Sequence, residues 1–127
     1  MQDRHLYEYA IIRVVPRVER EEFINAGVIV FCKRQRFVKV LYTVDDLKLR
    51  ALCHDIDTHQ LELNLASFER IARGAKDGGP IAQFDAAERF RWLTAIRSSV
   101  IQTSRPHPGF CTDLNETTLR LFSDVVL

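Results

Sequence analysis

The chain has 127 residues, 46% hydrophobic and 28% charged, a balance that describes one folded domain with its own core and excludes a fibre or a disordered tail. A formal net charge of +1 provides no overall field to hold a polyanion or a membrane surface. Residues 1–50 carry 10 Lys/Arg against 7 Asp/Glu and residues 51–127 carry 8 against 10, too mild a tilt for a basic nucleic-acid-binding domain.

The first element expected is a strand over Leu6–Val15, rich in β-branched and aromatic residues and apolar on both faces. Pro16 cannot donate to a ladder and is expected to end it. Arg17–Glu21 reads as a short polar connection and Phe23–Cys32 as a second strand, with Gly27 marking a bulge or a close backbone approach. Lys33–Arg36 is the expected tip of a hairpin leading into a third strand over Arg36–Val44, in an antiparallel meander.

Beyond this point the signals are helical. Asp45 opens a short helix to about Cys53, and Asp57 with Gln60 opens another whose core stripe is Leu61, Leu65, Phe68 and Ala72, stopped at Gly74. Residues 75–84 read as a loop, mobile around Gly78-Gly79-Pro80. Asp85 with Glu88 starts a helix to about Ser98 presenting Phe90, Trp92, Leu93 and Ile96. Val100–Ser104 reads as a fourth strand broken by the turn Arg105–Gly109, and Asp113 with Glu116 starts a last helix presenting Leu114, Leu121, Phe122 and Val125. The expected fold is therefore a single α+β domain over residues 1–127, a three- to four-stranded, mainly antiparallel sheet in the order β-β-β-α-α-α-β-α with packed helices.

Three widely spaced cysteines, Cys32, Cys53 and Cys111, suit reduced thiols better than a disulfide framework. The N-terminal stretch lacks the apolar core of a signal peptide, and no apolar run approaches the roughly 20 residues that span a bilayer. A cytoplasmic protein without a membrane partner is expected.

The most oddly placed polar residues are Arg13, Glu22 and Asn25, close to Gly27 in the first hairpin. A cross-strand Arg13–Glu22 ion pair beside a bulge shaped by Asn25 and Gly27 is the structural expectation. The functional one is a notch binding an anion or a partner, with Ser104 and Arg105 as further candidates. An enzyme would use Glu22 as acid/base and Arg13 on an anionic substrate. Lys33, Arg34, Arg36 and Lys39 form a basic run between Phe31 and Phe37 that would suit phosphates, although such runs more often keep a hairpin soluble. Cys53-His54-Asp55-Ile56-Asp57-Thr58-His59 has metal-ligand residue types without metal-site spacing and reads as a polar turn. No nucleophile–base pair, nucleotide-binding glycine motif, metal site or cofactor site emerges, and no catalytic residue is assigned.

Tyr9-Ala10-x-x-Arg13-x-x-Pro16 followed by Glu22-Phe23-x-Asn25-x-Gly27-Val28 resembles a bacterial family known as domain of unknown function 3037. The Asp55-Ile56-Asp57 helix entry and Gln102-x-Ser104 are weaker echoes, so the resemblance covers nearly the full length. The usual form of the family's motif is close to G-E-F-x-N-V-G-V; here Glu21 and Ala26 replace the glycine and the first valine. The resemblance implies a compact cytoplasmic α+β domain with no assigned activity, ligand or catalytic residues. Its members tend to be encoded beside a kinase related to the HipA toxin, which implies a possible partner. The function expected is a non-enzymatic interaction or regulatory module, acting with such a kinase or as a homodimer through a sheet face left bare by its own helices.

Overall fold

The computed structural model describes residues 4–127. Its strands are β1 (His5–Val14), β2 (Ile24–Cys32), β3 (Phe37–Tyr42), β4 (Ile101–Thr103) and β5 (His107–Cys111), and its helices α1 (Asp46–Leu52), α2 (Thr58–Ala72), α3 (Ala86–Leu93) and α4 (Leu114–Val125). The strands form one antiparallel sheet in the order β3-β2-β1-β4, with β5 also on β1. The α+β expectation holds, with one strand more than foreseen.

The two faces of β1 are buried by different helices. Ala10, Ile12 and Val14, with Ile29, Phe31 and Val40, pack on Leu49, Leu61, Leu65, Phe68, Phe90 and Leu93 from α1, α2 and α3. On the opposite face Tyr7, Val28, Val30 and Cys32 pack on Leu114, Leu121 and Val126 at α4. The sheet face expected to be bare is therefore largely covered by the chain's own last helix.

The helix starts follow the sequence. Asp45, Asp57, Asp85 and Asp113 each accept a hydrogen bond from the backbone N–H three residues on, at 2.8–3.1 Å. Such caps each contribute about 1 kcal/mol. Gln60 does not return the bond: its amide donates to Asn64 Oδ1 at 3.0 Å. The buried stripe of α2 is Leu61, Leu65, Phe68 and Ala72, as the periodicity requires. In residues 75–84 the Gln83 side-chain amide donates to Ala75 O at 3.0 Å and also reaches Lys76 O and Gly79 O. Its two N–H donors are shared among these three carbonyls and tether the loop to itself.

Two further expectations fail. The third large helix ends at Leu93, five residues early, with Thr94 Oγ1 donating back to Phe90 O at 2.8 Å. Beyond it Ile96 is 94% exposed, and Trp92 stays on the outer side of the helix rather than in the core. The supposed Arg105–Gly109 turn is mostly strand: His107–Cys111 pairs with Tyr9–His5. Gly109 is not turn punctuation there. A Cβ would come within 2.6 Å of the Tyr7 ring, so the missing side chain makes room for the tyrosine.

β4 and β5 lie end to end along one edge of β1, and Ser104 bridges the gap. Its N–H donates to Ile11 O and its Oγ accepts from the Ile11 N–H, both at 2.8 Å. Replacing Ser104 by Ala strands the Ile11 donor and should cost about 1–2 kcal/mol in urea unfolding. Gly27 sits so close to β3 that a Cβ would fall 2.4 Å from Leu41 O. Gly27→Ala is expected to lower stability by about 2–3 kcal/mol in the same measurement.

Candidate functional site

The register of the first hairpin changes between Ile12 and Arg13: Ile12 faces Gly27, but Arg13 faces Asn25. Ala26 is the extra residue of a β-bulge, and a bulge exchanges the faces of everything beyond it. Strict alternation would turn Asn25 toward the core under α1–α3 and Ile24 away from it. The bulge reverses this. Ile24 packs against the larger core, while Asn25 shares a face with Arg13. Gln102 on β4 flanks Arg13 on its other side.

The expected Arg13–Glu22 ion pair does not form. Glu22 is exposed and accepts from Arg20 Nε at 2.5 Å, and that hydrogen bond holds its carboxyl below the usual range. Arg13 instead lays its guanidinium over the Phe23 ring, 4.3 Å from the centroid. Its Nε is buried without a hydrogen-bond partner, as is Oδ1 of Asn25 across the ladder. The Asn25 amide donates to Val125 O at 3.1 Å, fastening β2 to the last turn of α4.

Arg13, Phe23, Glu21, Arg97, Ser98 and Gln102 line a cavity of about 630 Å³ between the end of β1 and the segment leading to β4. Arg97 repeats the arrangement of Arg13: its guanidinium lies over the Trp92 ring, 4.6 Å from the centroid, and donates to Trp92 O. Neither arginine forms an ion pair among the described residues. A guanidinium held on an aromatic face keeps its orientation and its outer N–H donors, which is the geometry that receives a planar carboxylate or a phosphate. Glu21 is the carboxylate on the wall and also takes no ion-pair partner there.

The other sequence candidates disperse. Asn25 lines a separate cavity of about 310 Å³ beside Thr43, Asp45, Lys48 and Leu127. Gly27 serves the close approach of β3. Ser104 is buried and its hydroxyl is engaged in the ladder; Arg105 is exposed, and its carbonyl accepts from Ser104 Oγ at 3.1 Å. Glu22 stands outside the arginine cavity, so an acid/base role beside Arg13 lacks its geometry. The basic run divides as well. Lys39 bonds Asn115 Oδ1 of α4 at 3.1 Å on one face, whereas Lys33 and Arg36 border a groove on the other and Arg34 stands exposed at the tip. In the polar turn, Cys53 Sγ donates to Asp55 Oδ1 at 3.3 Å, which holds that carboxyl low, and Asp57 caps α2.

Phe23 and Gln102 enter the sequence reading only as residues of the family resemblance, not as site candidates, and Arg97 does not enter it. Phe23 carried a signal, since it lies two residues from Asn25 and shares its face. Arg97 carried none, because its place depends on where α3 ends.

Glu21 closes the turn before β2 with φ 57° and ψ 15°, the left-handed region that glycine enters freely. Glu21→Gly should raise stability by about 0.5–1 kcal/mol and Glu21→Val lower it by about 1 kcal/mol, as read by thermal unfolding.

No curated protein and no solved structure matches the chain. A family model does, over residues 9–126, which takes in the bulge, the arginine cavity and all four helices. The chain belongs to the family described as Protein of unknown function (DUF3037).

Proposed function

We propose that the protein is a non-enzymatic binding module that receives an anionic group, a carboxylate or a phosphate, at the Arg13–Arg97 cavity. The observation that carries this reading is the Arg13 guanidinium laid on Phe23 in this cavity, with Arg97 also on its lining and neither arginine in an ion pair among the described residues. An arginine placed only for structure normally ends on a carboxylate or on several carbonyls; Arg13 ends on neither, and its Nε stays unpaired at a cost of about 1–3 kcal/mol. A regulatory role fits such a receptor, with the anion carried on a partner protein. The kinase related to HipA, which the family resemblance puts forward, is the first partner to test, and a second copy of this chain is the next.

Titration with inorganic phosphate and with acetate, followed by chemical shifts of the Arg13 and Arg97 side chains, tests the receptor. Binding should weaken about tenfold in Arg13→Met, with stability unchanged or slightly raised because a buried unpaired donor is removed. Glu21→Gly, which takes the carboxylate off the wall, should strengthen binding. Shifts that do not move with either anion, or that move equally in Arg13→Met, would overturn the reading. A pull-down with the purified kinase, repeated with Arg13→Met, tests the partner separately.

A further inference from the structure

The other end of the sheet carries a second surface, independent of the arginine cavity. Two hollows of about 530 and 500 Å³ lie between the β2–β3 hairpin, the start of β1 and the start of α3. They share Phe31, Lys33, Asp85 and Ala87, and so form one groove. Its floor is apolar: the Phe31 ring stacks on Phe90 with centroids 4.8 Å apart, and Leu6 continues the floor outward. Leu6 pairs across the ladder with Phe110, and these neighbours are 57% and 59% exposed, an apolar step over which only the Arg4 guanidinium lies, 5.0 Å from the Phe110 ring centroid.

The rim is cationic. Lys33, Arg36 and Arg91 border the groove, and none of them forms an ion pair among the described residues. The turn that carries the first two is closed by Arg36 N donating to Lys33 O at 3.2 Å, with Arg36 at φ 51°. Arg89 also lines the groove, but its guanidinium is engaged by Ala72 O and Phe84 O. The carboxylates on the wall are Glu8 and Asp85, and Asp85 is committed to capping α3.

We propose that this groove docks an extended segment of a partner protein carrying carboxylates around one or two apolar side chains. The apolar floor takes the anchor, and the three unpaired cations meet the flanking acids; this complementarity of charge and shape commits the occupant to an acidic peptide. A nucleic-acid strand fits less well, because Lys39, which would extend a basic track, lies on the other face of the sheet. Glu8 and Arg13 are five residues apart on β1, about 17 Å, and point to opposite faces, so the groove stands whether or not the arginine cavity binds an anion.

Fluorescence anisotropy of the full chain tests this, with a labelled peptide of about a dozen residues alternating glutamate and leucine. The controls are the same peptide with lysine for glutamate, and a labelled oligothymidylate. The acidic peptide should bind and the lysine peptide should not. Charge reversal in Lys33→Glu/Arg91→Glu should weaken binding about tenfold, Leu6→Ser/Phe110→Ser about fivefold, and Arg13→Met should leave it unchanged. All four substituted residues are on the surface, Phe110 beside the groove as the ladder neighbour of Leu6, and circular dichroism confirms that the variants fold. Absence of binding, peptide binding indifferent to the charge reversal, or an oligothymidylate that binds as tightly as the peptide would each overturn the proposal.

Discussion

One inserted residue governs the geometry of this protein. Ala26 is the surplus residue where β2 meets β1, and it exchanges the two faces of the hairpin beyond it. Ile24 reaches the larger core as a result, and Phe23 and Asn25 arrive beside Arg13. Without the bulge an asparagine would lie in the apolar core at a cost of a few kcal/mol, and Arg13 would have no ring to rest on. Gly27, next in sequence, lets β3 close over the irregular stretch. Core, cavity and the tether to α4 all descend from this point.

Arg13 is held by dispersion and by the quadrupole of Phe23 rather than by a counter-charge. An ion pair would have neutralised it. Stacking keeps the cation whole and leaves one face of it toward the cavity. Arg97, on the same lining, is also held on a ring, but its Trp92 belongs to the neighbouring hollow that Arg97 borders as well.

The helices were legible because capping and periodicity are local: an aspartate and the three residues after it decide each start, and the α2 stripe is the one that is buried. Periodicity carries the third helix too far because Trp92 and Ile96 continue an apolar rhythm that the packing does not use. β5 looks like a turn in the sequence because proline and glycine carry the same local signal in a turn and in an edge strand. Only the opposing Tyr7 distinguishes them, and that contact is about a hundred residues away. The candidate stretch around Arg13 was found, but its pairing was not. Assigning Glu22 to Arg13 follows from charge and proximity; Asn25 and Gly27 mark the bulge in the sequence, but not that Ala26 is the surplus residue, on which the face of Asn25 and Phe23 depends.

The stretch after Ser104 has a consequence for how the molecule tolerates its neighbours. Odd-numbered residues of β1 direct their backbone groups to this edge, as Ile11 does toward Ser104, so their partners His107, Gly109 and Cys111 point inward. Pro108 then falls where an N–H would face outward, and it has none to offer. A foreign strand approaching this border finds the row of donors interrupted at its middle. That gap guards against open-ended strand stacking and growth into fibrils, and it leaves this border poorly suited to recruiting another chain by sheet extension.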